Sequence, residues 1–241
     1  MDRWHVKPGK TWRIRGRGRH LLICGDCVEA MASGVIPTRP SALVYDPPWH
    51  IPQGLDASGH ASVLAFTNPQ YMYRTIERFG APTWLFVWDC MSGHYAEGRP
   101  LMQVKLALWY GDVLQFNPIG AFYGKEGSDF AGVADRRYAE RELRGTKARG
   151  NRLAEIYRES ISALHKRGAH RHEKPLDWIR LLIGDCFAPE LIVVDPFAGS
   201  GTTLAACDQL GRSCIGIEKE PRYVAHILDR MTRMGAEVET L

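Results

Sequence analysis

Short, nearly unbroken apolar runs punctuate the chain: LLIC (21–24), ALVY (42–45), WLFVW (84–88), VKLALWY (104–110), LIVV (191–194) and CIGI (214–217). Runs of this length, bounded by polar turn residues, read as strands buried on both faces, the usual state of parallel strands covered by helices. Between them, residues 67–79, 175–184, 202–210 and 220–233 have helical spacing. Strands alternating with helices predict a doubly wound α/β sheet, mostly parallel. The alternation breaks over 111–169. There AFYG (121–124) reads as a last, antiparallel strand, and the polar run 134–160 as a charged helix or arm. Several strand runs end at an acid: Asp26, Asp46, Asp89, Asp195 and Glu218. Ligands of such sheets bind outside the carboxyl ends of the strands, so these acids read as a ligand rim.

Composition narrows the class only a little. The chain has 241 residues, 45% of them apolar and 24% charged, which excludes a disordered chain or a fibrous repeat. No apolar run is long enough to span a bilayer, and MDRWHVKPGK lacks the apolar core of a secretory signal. No membrane partner is expected, and six cysteines in a chain this long fit a reduced, cytoplasmic setting. The net charge of +4 is mild but unevenly placed: residues 1–20 carry seven Lys and Arg against Asp2, and 136–174 is basic again. Two basic segments suit a polyanion, or are a solvated tail and a charged surface helix.

Two loops carry candidate chemistry. Asp195-Pro196-Phe197-Ala198-Gly199-Ser200-Gly201-Thr202 lies between a strand run and a helix. Its glycines let backbone N–H groups approach a ligand at the helix N-terminus. Glu218 ends the next strand, nineteen residues after Gly199, where an acid can accept ribose hydroxyls. The third glycine of the dinucleotide fingerprint is missing and no Walker lysine follows. Asp46-Pro47-Pro48-Trp49 directly follows ALVY. Two prolines stiffen the loop and remove two donors, leaving a carboxylate and proline carbonyls beside a large π-face. That set can hold an amino-bearing ring, or can be only a strand-ending turn.

The two loops in this order strongly resemble those of the circularly permuted β group of DNA amino-methyltransferases, whose catalytic loop precedes the cofactor loop. PGKTWRIRGRGRHLLICGDC resembles the lead-in of those enzymes. His170-Arg171-His172-Glu173-Lys174-Pro175 resembles their H-x-x-Q-K-P element, with Glu173 replacing the usual Gln. The resemblance implies a Rossmann-like methyltransferase sheet in one domain, 1–241, with a target-recognition insert at 125–169. It implies S-adenosylmethionine as cofactor and double-stranded DNA as partner, its target base flipped out. Asp195, Phe197, Gly199, Ser200 and Gly201 would wrap the methionine part, Thr202 and Lys174 meet its carboxylate, Glu218 take the ribose and Asp26 the adenine. Asp26 is expected to end a strand adjacent to both loops. Asp46 and the Pro47 carbonyl would hold the target amine, with Pro48 shaping the loop and Trp49 stacked on the base. Arg136, Arg137, Arg141, Arg144, Lys147 and Arg149 would contact DNA; Tyr110 and Phe116 lie where they could touch the flipped base. Asp46, where cytosine-modifying members more often carry Ser, and the two-ring Trp49 favour N6 of adenine over N4 of cytosine.

Other readings stay open on sequence. A nucleotide-dependent oxidoreductase would explain the glycine loop but not DPPW, and a nucleic-acid-binding module with a dead site sits poorly with both loops intact. Whether the chain is a homodimer, or accompanies a cognate restriction nuclease, is not written in it. No metal is expected: Cys24-x-x-Cys27 has no second CxxC, and the histidines at 165–172 belong in part to the H-x-x-E-K-P element. Trp84, Trp88 and Trp109 read as core.

Overall fold

The computed structural model describes residues 4–34, 40–48, 59–94, 102–112, 156–158 and 173–241. The expected strand 121–124, most of the insert 125–169, Trp49, Phe116, His165, His170, His172 and the basic residues Arg136 to Arg149 lie outside them. Ten described strands form one sheet: β1 (Thr11–Arg15), β2 (Arg19–Cys24), β3 (Ser41–Tyr45), β4 (Ser62–Thr67), β5 (Trp84–His94), β6 (Met102–Tyr110), β7 (Ile156–Arg158), β8 (Ile192–Asp195), β9 (Cys214–Glu218) and β10 (Glu237–Thr240). Their spatial order is β10-β1-β2-β9-β8-β3-β4-β6-β5-β7. The five strands β2-β9-β8-β3-β4 are all parallel, while β6 runs antiparallel to both β4 and β5.

Five described helices cover the sheet: α1 (Cys27–Ala32), α2 (Met72–Phe79), α3 (Leu176–Cys186), α4 (Thr202–Gln209) and α5 (Pro221–Arg233). Alternation along the strands decides which face each residue fills. Ala42 and Val44 join Leu64, Phe66 and the inner faces of α3, α4 and α5. Leu43 and Tyr45 point the other way, into a smaller cluster with Cys27 of α1 and Phe79 of α2. Trp178 of α3 has no exposed surface; Phe66, Trp88 and Tyr157 surround it at ring-centroid distances of 5.6, 5.9 and 6.2 Å. Burying an aromatic side chain of this kind stabilises by about 1.5–3 kcal/mol, so this knot fastens α3 to the β4-β6-β5 side of the sheet.

The parallel core and its covering helices agree with the sequence reading; several details differ. Two described strands, β1 and β6, run antiparallel to their neighbours, and VKLALWY of β6 is as uniformly apolar as a parallel strand because Leu106, Ala107, Leu108 and Trp109 are all buried, on both faces. The pattern at 67–79 divides into the end of β4, a turn held by Asn68 (Tyr71 N to Asn68 O, 3.0 Å) and α2. Asp89 does not end its strand, since β5 continues to His94. Trp84 opens β5 at the rim and is 43% exposed, whereas Trp88 and Trp109 are core as expected. Part of the basic N-terminal segment is β1 itself. Trp12 and Ile14 are fully buried, while Arg13 and Arg15 point outward to Glu239 of β10 at 3.0 and 3.5 Å. Such exposed pairs contribute little stability, but they neutralise charge that the sequence offered to a polyanion.

Candidate functional site

β8 and β3 are hydrogen-bonded neighbours in parallel register, Leu43 opposite Val194. The loops that follow them therefore leave the same edge of the sheet side by side. One is the glycine loop after Asp195, the other Asp46-Pro47-Pro48. Phe197 of the first packs edge-on against Tyr45 of the second strand, with ring centroids 5.7 Å apart.

The glycine loop is fixed from three sides. Asp195 is buried, and its Oδ1 accepts the Phe197 N–H at 3.0 Å. Burial pushes its pKa up to about 6, opposed by hydrogen bonds from Thr203 and Phe197. Gly201 opens α4 in the left-handed region at φ 74°, and a Cβ there would meet Ile227 Cγ1 at 2.8 Å. Glu218 Oε2 accepts the Gly199 N–H at 2.8 Å, and its Oε1 accepts the Glu220 N–H at 2.8 Å. The acid that ends β9 and the glycine loop are thus in direct contact. Burial raises the Glu218 pKa, partly offset by those N–H groups.

Asp26 lies one strand further along. β2 pairs with β9, not with β8 or β3, so the expectation that Asp26 adjoins both loops is corrected: the strand ending at Glu218 stands between. Asp26 Oδ1 caps α1 through Val28 N at 2.9 Å, and Oδ2 faces Lys219 at 3.3 Å. The Val28 N–H, foremost, lowers its pKa. Cys24 and Cys27 are both buried, in β2 and at the start of α1.

Three contacts were not legible in the sequence. Lys174 donates to Asp46 Oδ2, and its Nζ stands 4.9 Å from the Phe66 ring centroid. Lys105 of β6 is close enough to sense Lys174 and Asp46, with its pKa lowered first by burial. Glu173 binds Arg230 of α5 at 2.8 Å, and the same guanidinium nitrogen reaches Ser200 O at 3.2 Å and Thr202 Oγ1 at 3.3 Å. Thr202 Oγ1 also lies 2.9 Å from Ser200 Oγ. The H-x-x-E-K-P element thus grips both loops at once, Glu173 through Arg230 and Lys174 directly. No spacing rule links positions 174 and 46.

Tyr110 is not at this edge. Because β6 is antiparallel, its last residue sits opposite Val63, near the start of β4, and Tyr110 packs on Phe79 at 5.3 Å. Burial pushes its pKa up to about 12. The expectation that it touches a flipped base fails on strand direction alone. Among the described residues no group of three or more His, Cys, Asp and Glu could hold a metal ion. No described helix is long and apolar enough to cross a membrane.

The edge sets the glycine loop and Glu218 beside a proline-stiffened loop that bears the Asp46 carboxylate. Comparison with known proteins points the same way. The N6/N4 methyltransferase family model, described as DNA methylase, matches residues 68–229. The type II methyltransferase M.HindIII of Haemophilus influenzae is 53% identical over 53 residues, 22% of this chain and 17% of that protein. M.HinfI, also of Haemophilus influenzae, is 39% identical over 67 residues, 28% of this chain and 19% of that protein. The chain thus matches less than a fifth of the length of these curated relatives. Among solved structures, the M1.HpyAVI–SAM complex superposes with a TM-score of 0.54 at 19% identity, covering 87% of this chain and 98% of that one. The cytosine-N4-specific PvuII DNA methyltransferase gives 0.56 at 15% identity, over 89% and 90%. At these identities the structural likeness is one of fold.

Proposed function

The chain belongs to the N6/N4 DNA methylase family, and from that premise we propose that it transfers a methyl group from S-adenosylmethionine to N6 of adenine in a specific double-stranded DNA sequence. The observation that carries the reading is the pairing of β3 with β8, which sets an amine-acceptor loop beside a nucleoside-binding loop. We read residues 1–241 as one methyltransferase domain, permuted so that the acceptor loop comes first, with 125–169 as its target-recognition insert.

The residues fit the cofactor. Glu218 offers spare lone pairs for two ribose hydroxyls, and the φ of Gly201 brings backbone N–H groups of α4 toward the methionine part. Asp26 stands beside Glu218, because Gly25 N donates to Glu218 O at 3.0 Å, and can reach an adenine amino group from there. Bound S-adenosylmethionine supplies an electrophilic sulfonium methyl, so the protein has no nucleophile of its own to activate. Its task is the amine, whose lone pair is delocalised into the base. Asp46 and the Pro47 carbonyl accept the two N–H bonds, turn the lone pair toward the methyl and stabilise the positive charge that develops on nitrogen. Alignment of the amine with the methyl supplies much of the remaining acceleration. The base must leave the duplex to reach this edge. Trp49 would stack on it, and the basic run Arg136, Arg137, Arg141, Arg144, Lys147 and Arg149 would hold phosphates. A carboxylate at position 46 and the broad face of Trp49 favour a purine.

Methylation of mixed DNA in vitro, digestion to nucleosides and identification by mass tests the assignment. N6-methyladenine is expected. N4-methylcytosine alone would overturn the base while leaving the mechanism standing, and no methylated nucleoside would overturn the function. Asp46→Ala should lose about 10² to 10³ in rate with unchanged cofactor affinity.

A further inference from the structure

Three aspartates stand at or just after strand ends at this edge, and two are oriented by the same local device. Asp26 Oδ1 accepts the N–H of Val28 at 2.9 Å, and Asp195 Oδ1 accepts the N–H of Phe197 at 3.0 Å. In both cases the donor is two residues on, the usual self-restraint of an aspartate in a turn. Asp46 has no such donor, because the residue two positions on is Pro48 and carries no N–H. Its side chain is 38% exposed on a loop that has given up two backbone donors. What holds it is Lys174, whose ammonium binds Oδ2 and whose own side chain is only 15% exposed. The lysine is itself fixed over the Phe66 ring at 4.9 Å, and it follows Glu173, which Arg230 anchors. Among the described residues, Asp46 is the acceptor recorded for Lys174.

We propose that Lys174 is the positioning residue of the acceptor loop: by holding Asp46 Oδ2 it replaces the restraint that Pro48 removes and presents Oδ1 to the target amine. This rests on the methyltransferase reading of the site. It departs from the sequence expectation that Lys174 meets the cofactor carboxylate, and the two assignments predict opposite outcomes.

The test uses the full chain with Lys174→Met, Lys174→Arg, Asp46→Asn and the Asp46→Asn/Lys174→Met double variant. Single-turnover methyl transfer should fall about 10²-fold in Lys174→Met, the cost of a misplaced group. Its calorimetric Kd for S-adenosylmethionine should stay within about threefold of wild type. Lys174→Arg, which keeps a donor, should recover most of the rate, showing that the loss is not misfolding. In the Asp46→Asn background, Lys174→Met should lower the rate no further. A Lys174→Met rate within about twofold of wild type overturns the proposal. So does a Kd weakened more than about tenfold at an unchanged single-turnover rate, which would return Lys174 to the cofactor. A readout independent of transfer is thermal unfolding of the same set. Paired residues give non-additive losses, and strictly additive ones overturn the proposal. Absence of methyl transfer by the wild type would strike the functional reading and leave this coupling measurement in force.

Discussion

Replacing Arg230 with Met should be among the most damaging single changes outside the acceptor loop. Arg230 and Glu173 are 16% and 13% exposed at the side chain, and their contact is 2.8 Å. Glu173 Oε2 is buried and has no hydrogen-bond partner among the described residues, where Arg230 is the counter-charge paired with this carboxylate. Removing one member of a buried pair costs about 3–5 kcal/mol, because the other charge is left without compensation. The same change strips a donor from Ser200 O and Thr202 Oγ1, loosening the glycine loop. In a domain stable by about 5–15 kcal/mol this is a large fraction, equivalent to a Tm lower by roughly 6–20 °C at this size. Urea unfolding followed by tryptophan fluorescence measures it. Glu173→Gln, which keeps the shape and loses only the charge, should cost about 1 kcal/mol. The double variant Glu173→Leu/Arg230→Met should recover to within about 1 kcal/mol of wild type, since an apolar pair of similar volume needs no compensation. A loss under about 1 kcal/mol for Arg230→Met, or a double variant as unstable as the single, would refute the reasoning.

Gly201→Ala should destabilise by about 2–3 kcal/mol, from the left-handed backbone and the 2.8 Å approach to Ile227, and should abolish S-adenosylmethionine binding; a calorimetric titration at wild-type affinity would contradict it. Glu218→Ala should weaken that binding by roughly 1.5–3 kcal/mol, one charged hydrogen bond, and an unchanged Kd would move the ribose site elsewhere. Asp195 takes up its proton more tightly in the fold, at about 6 against 3.8, so its contribution to stability is present below pH 3.8 and is lost as pH rises toward 6. Asp195→Asn should remove that fall, on the order of 2–3 kcal/mol, and be the more stable form at pH 7; parallel stability–pH curves for the two proteins would disprove it.

The parallel core was legible because ALVY, LIVV and CIGI are unbroken apolar runs ended by an acid, and both loops were legible because proline and glycine punctuate them. β1 was not: TWRIR alternates inward Trp12 and Ile14 with outward arginines, and charge hid the period of two. The direction of β6 left no trace in VKLALWY, since a strand covered on both faces looks the same either way round, and this misplaced Tyr110. The partner of Lys174 lies 128 residues away and depends on how α3 is docked through Trp178. The fate of Glu173 was hidden for the same reason, because Arg230 reads as an ordinary residue on an amphipathic helix.

The interleaving of the sheet has a consequence for synthesis. β2 and β3 emerge early, yet the two strands that fill the slot between them, β8 and β9, begin only at Ile192 and Cys214. Translation at about 5–20 residues per second leaves the apolar edge of β3 without its neighbour for roughly 7–30 s. Until then neither loop has its counterpart, so the nascent chain carries no half-assembled donor site. It does carry an unpaired edge of the kind that invites aggregation. Slow closure of such distant contacts is expected to make yield in the cell depend on chaperone capacity and growth temperature more than on the stability of the finished sheet.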